Sequence, residues 1–188
     1  MISVTLLLVL TLATVFGFVA YLPSRLDGGN VERLLLVRNE RTFFQDPAFG
    51  FRQLVDVAAR ALSPAVNDPT TAVQAIDRIS DALVLTGRNP DPTGFRIDSE
   101  GQVRLQWRLR NFEELLILSM TETIRYGAGA PQVVRRLRAV LAELERTLPI
   151  ERHAALARQR EVLEAAVESE LPPAFASVAS IPDRIGLG

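Results

Sequence analysis

The sequence predicts a mainly α protein: one N-terminal transmembrane helix, then a helical soluble domain with a small β-hairpin insertion. Three observations predict it. The chain opens with an uncharged apolar run over residues 2–22. Later segments place apolar residues at helical spacing, and two of them open with Asp-Pro. One short stretch alternates apolar and polar residues around a glycine turn.

The opening run, ISVTLLLVLTLATVFGFVAYL, is almost wholly apolar. About 20 such residues span a hydrocarbon core of roughly 30 Å as a helix. Tyr21 falls where aromatic rings favour the interface, and Pro23 with Gly28 and Gly29 ends the element. A cleaved signal peptide would need a basic start, an apolar core of about 7–15 residues and a small-x-small site. The start has no Lys or Arg, the run is longer, and no such site precedes Pro23. A buried core helix would show a polar face, which is missing here. Arg25, Arg33, Arg38 and Arg41 follow the run and no basic side chain precedes it. The positive-inside rule then predicts a single-pass plasma-membrane protein with its soluble domain in the cytoplasm.

The organisation expected is an anchor over residues 1–24, a connector over 25–40, a helical soluble domain over 41–170 and a flexible tail over 171–188. Residues 31–37 form a short apolar run that reads as a strand or an interfacial helix. Asp46-Pro47 then reads as an N-cap followed by proline at the first helical position. Phe51, Leu54, Val55, Ala58, Ala61 and Leu62 give that helix one apolar face, and Pro64 stops it. Asn67-Asp68-Pro69 repeats the start signal at once. Val73, Ile76, Ile79 and Leu83 form the second buried stripe, opposite Thr70, Gln74, Asp77 and Asp81. Gly87 is the expected residue just past its end.

Phe95 and Ile97, then Val103, Leu105 and Trp107, alternate with polar residues around Ser99-Glu100-Gly101. That predicts a β-hairpin, with Phe95 and Trp107 in its core. Asn111 and Glu114 resemble a capping box for a third helix over residues 112–126, ended by Gly127 and Gly129. Pro131 opens a fourth, with Val133, Leu137, Val140, Leu141, Leu144 and Leu148 inward. A fifth runs over residues 151–168. The Pro-containing stretch from Leu171 onward reads as loosely ordered.

Two stretches carry a family resemblance. RTFFQDPAFGFRQLVDVAARALSPAVNDPTTAVQAIDRI (residues 41–79) and IRYGAG (residues 124–129) resemble the signature of a bacterial family of predicted membrane proteins, domain of unknown function 2254. The likeness extends from about Arg33 to Val167. The resemblance implies several transmembrane helices and an intervening soluble stretch ahead of this domain. Here one apolar run leads almost straight into it, as in a shortened member or a fragment. The resemblance implies no reaction, cofactor or substrate.

Composition narrows the chemistry. The chain has 188 residues, a formal net charge of -1 and no Cys. A near-neutral balance argues against nucleic acid as a partner. One His and no Cys exclude the usual zinc sites and thiolate catalysis. Ser63 lacks a nucleophile elbow, and His153 falls in the charged stretch ERHAALARQR, where a surface role is expected.

The candidate site is the polar cluster Arg52, Gln53, Asp56, Ser63, Asn67, Asp68, Thr71 and Asp77, together with Arg125. Free N–H groups at the helix start after Asp68 suit an anion. Asp56 and Asp77, if they share a cleft, supply oxygens for Mg²⁺ or Ca²⁺. The competing reading makes Asp46 and Asp68 helix caps and Arg52, Asp56 and Arg60 an ordinary i,i+4 ion-pair series. Arg125 is either a ligand clamp or a cation placed at a helix C-terminus. Arg135, Arg136 and Arg138 form either a solvated face or a contact for anionic lipid. The reading leans away from an enzyme: a membrane-associated domain binding a small ligand, ion or protein partner. The alternatives are a metal-assisted hydrolase or phosphoryl-transfer enzyme, and a structural domain forming homo-oligomers through the helices of residues 131–168.

Overall fold

The computed structural model describes residues 47–97, 100–106 and 109–181. The predicted membrane span, the connector, Asp46 and Trp107 lie outside them. Among the described residues no helix is long and apolar enough to cross a membrane.

The elements run α1 (Pro47–Ala61), α2 (Pro69–Gly87), β1 (Phe95–Ile97), β2 (Val103–Gln106), α3 (Phe112–Gly127), α4 (Pro131–Thr147), a 3-10 turn (Ile150–Arg152), α5 (His153–Glu170) and α6 (Pro173–Ala179). Two compact units result. One holds the described parts of Asp91–Asn111 with residues 47–50, and the other holds Phe51–Pro90 and residues 112–181. The mainly helical class and the small hairpin both match the expectation from sequence.

In the helical unit, α2 packs against α3 and α4, and α5 packs against α3 and α4. The apolar stripes read from the sequence form this core. Val55, Ala58, Ile76, Ile79, Leu83, Leu137, Leu141 and Leu144 are at most 1% exposed. Burying such a side chain contributes about 1.5–3 kcal/mol, so these stripes set the helix orientations. Buried hydroxyls are satisfied within their own helix: Ser119 donates to the Leu115 carbonyl at 2.6 Å and Thr123 to the Ser119 carbonyl at 2.8 Å.

Gly87 corrects the sequence reading. It is the last residue inside α2 rather than the one beyond it, and Arg88 takes the cap position. A Cβ there would fall 2.7–2.9 Å from side-chain atoms of Leu148 and Phe112. Close packing, not a left-handed backbone, requires glycine. Gly127 is alike: it closes α3, and a Cβ would meet Val133 Cγ1 at 2.5 Å.

The hairpin is a two-stranded antiparallel sheet pairing Phe95 with Gln106, Arg96 with Leu105 and Ile97 with Val103. An irregularity between Arg96 and Ile97 shifts its register. Gly101 takes φ +79 at the turn, where glycine is strain-free. Phe95 is 45% exposed, so it does not form the hairpin core expected of it. Two short strands have too few inward positions to enclose a ring. Part of the stretch after Leu171 also departs from expectation, because α6 occupies Pro173–Ala179. Proline at its first position needs no N–H partner, and the alanines that follow favour helix.

Candidate functional site

The connection between α1 and α2 folds on its own hydrogen bonds. The Ser63 hydroxyl donates to the Arg60 carbonyl at 2.7 Å, finishing α1. The N–H groups of Val66 and Asn67 donate to the Ser63 carbonyl at 3.0 and 2.9 Å, and Asp68 N–H donates to the Ala61 carbonyl at 2.8 Å. This tight return puts Asn67 at φ 47, a left-handed position that Asn tolerates better than most residues. Asp68 then caps α2. Its Oδ1 accepts Thr71 N–H at 3.1 Å and its Oδ2 accepts the Thr71 hydroxyl at 2.5 Å. The Thr71 hydroxyl, then the Thr71 N–H, hold the Asp68 carboxyl below the usual carboxylate range. An anion at this helix start meets a carboxylate already seated there.

The other charged candidates have partners far away in sequence. Arg52 Nη1 reaches Glu122 Oε1 at 2.7 Å, tying α1 to α3. That pair is 44% and 42% exposed, so it contributes at most about 1 kcal/mol. Asp77 accepts from Arg136 Nε at 2.5 Å, joining α2 to α4 where the two side chains are only 30% and 15% exposed. Burial raises the Asp77 carboxyl above its ordinary value; Arg136 opposes this without cancelling it. A cation bound at Asp77 would have to compete with this guanidinium. Among the described residues no group of three or more His, Asp or Glu gathers as a metal site.

Asn67, Asp56 and Arg125 are exposed, while Gln53 is partly buried. Arg125 lies in the last turn of α3, where a cation meets the negative end of the helix dipole. Neighbouring Tyr126 is 50% exposed. The arginine run of α4 is not a uniformly solvated face. Arg136 holds Asp77, and Arg138 pairs with Glu164 of α5 and donates to the Ala179 carbonyl at 2.9 Å. Sequence reasoning missed Glu122 and Glu164, and read Arg136 only as part of a basic run. Their partners are 70, 59 and 26 residues away, and no local spacing signals them.

The end of α1 meets the end of α3. A Cβ at Gly127 would lie 3.5 Å from Leu62 Cδ1. Leu62 of the first resembling stretch and Gly127 of the second therefore lie side by side in the helical unit. The family of predicted membrane proteins, domain of unknown function 2254, matches residues 11–143. The chain belongs to this family. The domain of unknown function 2254 thus covers the hairpin and the first four described helices in full or in large part.

The chain is also similar to the uncharacterized proteins Mb1321c of Mycobacterium bovis and Rv1290c of Mycobacterium tuberculosis. It is 31% identical to each over 157 residues, covering 78% of this chain and 30% of each relative. The chain thus spans under a third of the length of the curated relatives it matches. No solved structure matches it.

Proposed function

We propose that this member of the domain of unknown function 2254 family is a membrane-tethered binding module without catalytic turnover. Residues 1–24 form the anchor, 25–40 the connector and 41–170 the cytoplasmic domain. The observation carrying the proposal is that the most reactive-looking side chains have structural partners. Ser63 closes a turn, Asp68 caps α2 against Thr71, and Asp77 holds Arg136. Nucleophilic or metal-assisted chemistry needs an acid, base or ligand set converging on one point. The described residues gather no such trio of metal-ligating groups. What the motif end offers instead is exposed recognition chemistry: Asn67, Arg125 and Tyr126.

The test uses the full chain with a C-terminal tag, expressed in a bacterium. The expected result is alkaline-resistant association with membranes, and digestion of the domain in inverted vesicles but not in spheroplasts. Release by alkaline carbonate would overturn the anchor, and digestion in spheroplasts would overturn the orientation. The same detergent-purified chain is then heated with Mg²⁺, Ca²⁺, nucleotides and inorganic phosphate. Specific binding stabilises by RT ln(1 + [L]/Kd), about 2.7 kcal/mol at 100 times Kd. Stabilisation abolished by Arg125→Ala or Asn67→Ala, with the ligand recovered unchanged, supports the reading. Turnover of the ligand ends it.

A further inference from the structure

Helix α6 places its large apolar side chains outward. Residues 171–182, LPPAFASVASIP, carry no charge in a chain that is 23% charged. On α6 the small Ala179 is buried, at 2% exposed. Phe175, Val178 and, just beyond the helix, Ile181 are 51%, 40% and 58% exposed. Their spacing of three puts them on neighbouring positions of one face. Two hydrogen bonds tie the element to α4: Arg138 Nη1 donates to the Ala179 carbonyl at 2.9 Å and Arg135 Nη1 to the Val178 carbonyl at 3.4 Å. Packing that merely completed a core would turn the phenylalanine inward and the alanine outward.

We propose that the face formed by Phe175, Val178 and Ile181 rests on a phospholipid bilayer, with the Arg135 guanidinium at its rim beside the lipid phosphates. The chemistry is complementary on both counts. An uncharged, phenylalanine-bearing face suits the boundary between headgroups and acyl chains, and an arginine beside it suits an anionic headgroup. A second copy fits less well, because a stable pair buries about 800 Å² on each partner and three partly exposed side chains supply only a fraction of that. A chain already tethered needs only a weak second contact, since tethering supplies a high effective concentration. The inference rests on the membrane tether proposed above.

The test places one tryptophan on the face. The full chain carrying Trp107→Phe and Phe175→Trp is reconstituted into phosphatidylcholine–phosphatidylglycerol vesicles with or without brominated acyl chains. The expected result is a blue-shifted emission that loses most of its intensity with brominated lipid. Adding Val178→Asp and Ile181→Asp should abolish that loss without releasing the protein from the vesicles, and Arg135→Gln should weaken it in phosphatidylglycerol vesicles. Chain that floats with vesicles but is not quenched overturns this contact and leaves the tether standing. Chain that does not float overturns both. A blue shift in detergent that grows with protein concentration assigns the face to a second copy and overturns the lipid contact.

Discussion

Two of the helix-to-helix connections of the helical unit, α1 to α2 and α3 to α4, solve the same problem in opposite ways. Both end in proline at the first helical position, at Pro69 and at Pro131. The connection from α1 to α2 is closed by polar side chains: Ser63 on a carbonyl, Asp68 on Thr71. The connection from α3 to α4 is closed by packing. Ala130 makes no side-chain cap, Gly127 leaves room for Val133, and a backbone hydrogen bond links Ala130 N–H to the Gly127 carbonyl at 3.0 Å. The polar connection attracts a functional reading because its residues look reactive. The comparison shows that much of that polarity is the local cost of turning the chain, which the other connection meets with shape.

The largest effect is expected at the packed connection. Gly127→Ala puts a methyl 2.5 Å from Val133 Cγ1, and overpacking of this kind typically costs about 1–3 kcal/mol. Chemical denaturation should show that loss, and Gly127→Ala combined with Val133→Ala should recover part of it. A neutral Gly127→Ala would mean that shape does not close this turn.

Next comes the half-buried pair that joins α2 to α4. Arg136→Ala leaves the Asp77 carboxylate buried without its guanidinium, which should cost about 1–3 kcal/mol at neutral pH. Asp77→Asn should cost less, because the carboxyl of Asp77 is raised by burial despite Arg136. The sign of its pH dependence follows. A carboxyl whose folded value is raised contributes most at a pH below its ordinary 3.8 and loses that contribution as pH rises through the folded value. Asp77→Asn should therefore gain on the wild type as pH rises through that window. Equal pH profiles for the two proteins would contradict the burial argument.

Smaller effects belong to the caps. Asp68→Ala should lower the melting temperature at neutral pH. The Asp68 carboxyl is lowered in the folded state, so its contribution is present above the ordinary value of 3.8 and lost as pH falls through the folded value. The gap between Asp68→Ala and wild type should close in acid. Ala130→Ser supplies the missing side-chain cap at the packed connection and should stabilise by at most about 1 kcal/mol. No gain there would show that Ala130 is fixed by neighbours rather than by helix-start chemistry.

Much of the candidate site was legible because its signals are local. Asp68 before Pro69 caps a helix, as its residue types require. The apolar stripes of α1, α2 and α4 repeat at helical spacing and are buried as read, except Leu62, which is half-buried just past α1. The site's long-range half was not legible. Asp77 stood in the sequence as a partner for Asp56, yet in the fold its neighbour is Arg136, 59 residues on. Gly87 and Gly127 looked like helix terminators and act as close-contact positions, because periodicity cannot show what a neighbouring helix brings against a missing Cβ.

By itself, the sequence determined the helical class, the start of α2, the buried faces and the family, since these depend on residue type and on spacing within a few turns. Only the tertiary structure decided which charges meet, which glycines are packed and which way α6 faces. Those depend on elements that approach in space from distant positions, where the free energy lies in contact geometry and desolvation rather than in local preference.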